Sequence, residues 1–149
     1  MEKIMLKTAL TFFALCIPFF VFSEGAIVID HNDLPSFGKA GATLTGIATP
    51  SLGAKEYEVW RSTIAPGGQT PRHMHETEEI FVFLSGKGKV IVGDIESYFE
   101  APCTVICPAH IEHQFFNVGD EPSDQIVILG IASTIVDADH AVMHLPWRN

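Results

Sequence analysis

The chain has 149 residues and carries 18 Asp or Glu against 9 Lys or Arg, for a formal net charge of −9. That acidic balance, with no basic stripe, argues against a nucleic-acid partner and against attraction to anionic lipid headgroups. The length suits one domain, and the expected partner is a small molecule or another protein.

Taken in chain order, residues 1–23 read as a secretory signal. Lys3 and Lys7 form a positive beginning, an apolar run extends from Ala9 to Phe22, and Val21 and Ser23 stand at −3 and −1 for cleavage before Glu24. Cleavage after Gly25 is a second position. The run is shorter than the roughly 20 residues of a spanning helix, and Pro18 interrupts it. An uncleaved anchor is the alternative; a lipoprotein cysteine at Cys16 is disfavoured by Leu15. The expectation is an exported domain over 24–149 without stable membrane insertion after cleavage. Losing two lysines and one glutamate with residues 1–23 takes its charge to −10.

After the signal come short apolar runs rich in Val, Ile and Phe, separated by Gly, Pro, Asp and Asn. The predicted strands are Ala26–Asp30, Tyr57–Ile64, Glu79–Ser85, Gly88–Val92, Thr104–Cys107, His113–Asn117 and Gln125–Ala132. This spacing predicts an all-β sandwich or barrel. Ser85–Gly88 reads as a hairpin loop, with further turns at Val92–Asp94 and Val118–Pro122. Glu79–Ser85 is nearly all apolar, which suits a strand buried on both faces, one into a barrel lumen and the other against a second sheet or a partner subunit. Val136–Leu145 is the one weak helical candidate. Cys103 and Cys107 would lie ~13 Å apart in an extended segment at ~3.3 Å per residue, beyond disulfide reach, so two reduced buried thiols are expected.

The chemistry concentrates in Gly67–Gly86. His73 and His75 share one face of an extended segment, with Cβ atoms ~7 Å apart, close enough for two imidazoles to meet on one ion. A straight strand would carry Glu79 ~13 Å from His75, so the chain must bend over Glu76-Thr77-Glu78 and return Glu79 on a neighbouring strand. His113 comes from a second cluster, Pro108–Asn117, in which Asn117 is placed to close a turn. His73, His75, Glu79 and His113 together look like a site for one divalent metal ion. Imidazole and carboxylate donors suit Zn, Mn, Fe and Ni alike. His110 reads as a rim residue, and His31, His140 and His144 as structural or exposed.

These motifs resemble those of the cupin superfamily. Gly67, His73, His75, Glu79 and Gly86 fill every position of its first motif, while Pro108, His113 and Asn117 match the second. Pro102 and His110 stand where the second motif has glycines. The resemblance implies a single-domain cupin, a double-stranded β-helix or jelly-roll barrel. From about Leu34 onward the chain is similar to the plant auxin-binding protein family, through Val59-Trp60-Arg61-Ser62-Thr63-Ile64-Ala65-Pro66-Gly67, the histidine segment and Gly86-Lys87-Gly88. That family implies an exported dimer, zinc on the four residues above, and a ligand carboxylate on the metal. Its pocket positions correspond here to Trp60, Ile64, Thr70, Pro71 and Phe81, Gln114 fits its His-Gln pair, and Trp147 loosely matches a pocket tryptophan. The family's retention tail and structural disulfide have no counterpart, which points to a periplasmic or secreted relative.

Two functions follow. One is a metal-dependent binding protein for a small aromatic or apolar carboxylate, with apolar residues burying the remainder of the ligand. The other is a metal enzyme, such as a dioxygenase, isomerase, decarboxylase or lyase, using the same open coordination positions. An enzyme normally needs an acid or base besides the ligands. The sequence offers only Tyr57, Glu78, Tyr98 and His110, none at a diagnostic spacing, which tilts the reading toward binding.

Overall fold

The structure is a computed structural model that describes residues 25–39 and 41–148; residues 1–23, read above as a secretory signal, lie outside the described residues. Its strands, in chain order, are β1 (Ser36–Lys39), β2 (Ala42–Ala48), β3 (Tyr57–Ile64), β4 (His73–His75), β5 (Glu79–Ser85) and β6 (Lys87–Val92). They continue with β7 (Ile95–Glu100), β8 (Cys103–Cys107), β9 (His113–Asn117), β10 (Ser123–Gly130), β11 (Ile135–Asp137) and β12 (Val142–Met143). Two six-stranded antiparallel sheets result, ordered β1-β2-β3-β10-β5-β8 and β12-β11-β4-β9-β6-β7. This is the expected jelly roll.

Alternation sets the interior. Along β3, Glu58, Trp60, Ser62 and Ile64 are buried, and along β10 Ser123, Gln125, Val127 and Leu129 are buried. Period-two strands from both sheets thereby face one core, in which Phe81, Phe83, Phe99 and Phe115 form an aromatic cluster. Gly88 permits it: a Cβ there would lie 2.1 Å from the Phe99 ring.

Four expectations are corrected. Ala26–Asp30 pairs with no strand among the described residues, and Ile27 and Val28 are exposed; an apolar run without a partner strand has no ladder to join. Ser85–Gly88 is not a hairpin. β5 and β6 belong to different sheets, and the chain steps between them at Gly86, whose φ of 100° suits glycine. A Cβ on Gly86 would also strike Ser123 at 2.7 Å. Val136–Leu145 is not helical: β11 and β12 pair there, and the Asp137 carboxylate accepts the Asp139 and Ala141 amides to make the turn. Finally, within the single chain β5 is buried on one face only, with no second sheet among the described residues covering the other. Glu79, Phe81 and Phe83 point inward, Ile80 and Val82 are half-buried, and Leu84 is exposed.

The pairs Val59↔Ile128, Ile128↔Ile80 and Ile80↔Ile106 place an apolar row across the outside of the first sheet. Of the cysteines, Cys107 is buried and Cys103 is half-buried, and both are reduced. β1 and β2 were not expected: in Ala42–Ala48 the alternation of Ala42 and Leu44 with Thr43 and Thr45 is short, and Leu44 and Ile47 are its only large apolar residues.

Candidate metal centre

The ligand candidates converge from both sheets. His73 and His75 flank the three-residue strand β4, and His73 pairs in register with His113 at the start of β9. Glu79 opens β5 in the opposite sheet, rather than on a strand beside β4, where it pairs with Leu129 and Cys107. The required bend lies at Glu76–Glu78. It is held by Ser133, whose hydroxyl oxygen accepts the backbone N–H groups of Glu76 and Thr77 at 3.1 Å each. The Glu76 carboxylate accepts the Thr134 amide at 3.0 Å. Nothing in the sequence marked Ser133, because its role depends on a loop meeting it from 56 residues upstream.

The Nε2 atoms of His73, His75 and His113 stand 3.6, 3.1 and 3.0 Å from one Glu79 oxygen. All four candidate ligand atoms lie within 4.8 Å of one another, and only His73 is more than marginally exposed. The far side of each ring is tied to a main-chain carbonyl: His73 Nδ1 to Pro71, His75 Nδ1 to Thr77 and His113 Nδ1 to Ile111, at 2.9, 2.5 and 3.2 Å. A carbonyl accepts only, so Nδ1 must carry the proton, and a neutral ring then turns its Nε2 lone pair inward. Three such lone pairs facing a carboxylate form an acceptor-only cluster that is complete only with a cation. The donor set therefore fits one divalent metal, with orientation supplied by the backbone.

Without a metal, protons can take its place on the inward nitrogens, and the electrostatics describe that protonated arrangement. Burial drives the Glu79 carboxyl upward, but the three surrounding histidines outweigh it and hold the group well below the usual carboxylate range. Burial lowers His73, yet the Glu79 hydrogen bond and charge raise it above its ordinary value overall. Burial pushes the Cys107 thiol far up, with Glu79 adding to the effect, which holds it as a neutral thiol, and its sulfur is not among the clustered ligand atoms.

A cavity of about 350 Å³ opens beside the cluster, and His73 and Glu79 form part of its wall. Of the residues that the resemblance marked as pocket positions, Trp60, Thr70, Pro71 and Phe81 line this cavity. Ile64 and Gln114 do not. The Ile64 side chain packs into the core beyond Ser62, and Gln114, on the opposite face of β9 from His113, donates from Nε2 to the Thr70 carbonyl at 2.8 Å. The C-terminal segment covers one side, with Met143, His144, Leu145 and Pro146 in the wall. His144 was assigned no role in the sequence; strand β12 brings it to the cavity. Tyr57, Glu78, Tyr98 and His110 all lie exposed outside the cavity.

His110 has a different part. It adopts φ 62°, the left-handed conformation for which the second motif keeps a glycine, and its amide donates to the His75 carbonyl at 2.8 Å. The departure at this position thus preserves the turn. Asn117 closes the neighbouring one, donating to the Ile64 and Glu121 carbonyls and accepting the Gly119 amide.

The sequence model of the family described as Cupin domain matches residues 60–129, from within β3 to the penultimate residue of β10. The chain belongs to the cupin superfamily. Among curated proteins it is close to auxin-binding proteins. It is 35% identical over 115 residues to auxin-binding protein 1 of Arabidopsis thaliana, covering 69% of this chain and 58% of that protein. It is 34% identical over 116 residues to auxin-binding protein T85 of Nicotiana tabacum, covering 69% and 62%. This cupin thus spans less than two thirds of the length of these relatives. Solved structures share the fold: a polyketide cyclase of Streptomyces resistomycificus, TM-score 0.64 at 16% identity, covering 81% of this chain and 87% of the other. An oxalate decarboxylase of Lactobacillus farciminis has TM-score 0.65 at 24% identity, covering 72% and 34%.

Proposed function

We propose that this protein is an exported cupin that binds a small aromatic or apolar carboxylate through a metal ion held by His73, His75, Glu79 and His113. The observation that carries the reading is that one cavity of about 350 Å³ is walled by both the metal cluster and the large apolar side chains Trp60 and Phe81. A divalent ion with four protein ligands keeps one or two positions open and supplies the positive charge that a carboxylate needs in an otherwise apolar pocket. Zinc is the ion proposed first; Mn, Fe and Ni suit the same donors. The similarity to auxin-binding proteins supports an auxin-like ligand. The test is metal analysis of the purified chain, followed by calorimetry with indole-3-acetate and related acids before and after chelation. Metal-dependent binding is expected; no heat with any carboxylate on the metal-loaded protein would refute it.

One observation favours a second reading. Besides His73 and Glu79, His144 is the titratable side chain in the cavity wall, the position an enzyme's acid or base would take. Turnover of a carboxylate that is lost in His144→Ala, with metal retained, would establish an enzyme. We also propose that the domain over 24–149 dimerises through the apolar row Val59–Ile128–Ile80–Ile106, which a single copy leaves partly exposed. Ile106→Lys is expected to yield a monomer in light scattering. Export through cleavage near residue 23 is tested by the N-terminal sequence of the protein recovered outside the cytoplasm.

A further inference from the structure

We infer that the cavity reads a second polar group on its ligand, at the end away from the metal centre, through the hydroxyl of Ser62. This rests on the reading that a carboxylate occupies the metal. The register locates the two ends. On β10, Leu129 stands opposite both Glu58 and Glu79, whereas Gln125 stands opposite both Ser62 and Phe83. Four residues of strand separate those rows, ~13 Å at ~3.3 Å per residue. The row between them, Trp60–Val127–Phe81, is apolar.

Ser62 lines the cavity and is buried in its wall, with 4% of its surface exposed. Behind it runs a buried relay. The Ser123 hydroxyl donates to Gln125 Oε1 at 3.0 Å, and Gln125 Nε2 donates to Ser62 Oγ at 3.1 Å. Ser123 and Gln125 are themselves 2% and 1% exposed. The relay occupies the oxygen of Ser62 and leaves its hydroxyl hydrogen, for which the described residues offer no acceptor. Buried donors are ordinarily paired, because leaving one unmade carries its full desolvation penalty.

A relay of three polar side chains ending in a free O–H is an odd way to line an apolar pocket unless something accepts that hydrogen. The ligand class that fits is a carboxylate with an ether, hydroxyl or carbonyl oxygen at its opposite end. Thr70 also lines the cavity with its oxygen occupied, by the Phe115 amide at 3.0 Å. Phe115 lies only two residues from His113, ~7 Å along the strand, so Thr70 serves the middle of the cavity.

The test isolates one atom. Calorimetry on the zinc-loaded chain compares 4-methoxyphenylacetate with 4-ethylphenylacetate, and the corresponding 3-arylpropanoates, each pair differing by oxygen in place of methylene. The ether is expected to bind about 2- to 10-fold more tightly in at least one pair, the range for one neutral hydrogen bond. Ser62→Ala should erase that preference while leaving the ethyl compound's affinity within about twofold. Ser62→Cys, which keeps the shape with a weaker donor, should reduce it without erasing it. Melting curves of both variants confirm that they are folded, and if Ser62→Ala is not, Ser62→Cys decides. Equal affinities in both pairs would overturn the inference, as would a preference that survives Ser62→Ala or Ser62→Cys unchanged, or one abolished instead by Thr70→Val. Failure of all four compounds to bind, or binding unaffected by chelation, refutes the metal–carboxylate reading and the inference with it.

Discussion

Two carboxylates lie fully buried on either side of Leu129, and the protein treats them in opposite ways. Glu58 faces the C-terminal segment. Its oxygens pair with the Arg148 guanidinium and accept the Trp147 indole N–H at 2.9 Å, while Arg148 also donates to the Ser133 and Gly130 carbonyls. Glu79 faces three imidazoles whose outer nitrogens are committed to carbonyls. A guanidinium cannot surrender its charge, so Glu58 is neutralised permanently and belongs to the framework. Imidazoles can exchange a proton for a metal, so Glu79 sits in a replaceable field and belongs to the site. Burial alone does not separate a structural acid from a ligand; the exchangeability of its partners does.

That contrast can be broken at either end. The largest effect is expected from His73→Ala with His75→Ala, which removes two of four donors and should abolish stoichiometric metal in elemental analysis; retained metal would dissolve the site. Next comes Arg148→Ala, which strands Glu58 and should cost about 3–5 kcal/mol in urea denaturation while leaving metal content unchanged. Loss of metal in that variant would mean that the two carboxylates are not independent. pH sharpens the distinction. His73 is raised above its ordinary value, so its proton competes with the ion, and metal affinity should fall as pH drops through that raised value. Without metal the sign reverses: the protonated His73–Glu79 contact stabilises the fold at low pH and is lost as pH rises. Competition with a chelator at pH 6 and pH 8 reads the first, and melting of the chelated protein reads the second. The smallest effect is His110→Gly, expected to gain about 1 kcal/mol by relieving the left-handed backbone with metal binding intact.

The metal cluster was legible in the sequence because its elements are local. His-x-His needs only an extended backbone, and the bend before Glu79 follows from simple reach. What lay hidden was every partner brought from a distance. Glu58 gave no sign of burial, because the residues that neutralise it arrive about 90 positions later in the chain. Ser133 and His144 were silent for the same reason. The Gly86 step resembled a hairpin because local turn chemistry is alike whether the next strand returns to its own sheet or crosses to the other. The pocket was legible at Trp60 and Phe81, where inward alternation is clear, but not at Gln114, which a one-residue shift puts on the other face.

The division of ligands between sheets has a mechanical consequence. With His73, His75 and His113 on one layer and Glu79 on the other, an ion bound there rivets the two halves of the barrel together. A ligand that binds only the folded state raises stability with the logarithm of its free concentration. The melting temperature of this protein should therefore track the metal supply of its surroundings, making ion availability a determinant of how long the chain survives there as well as of what it holds.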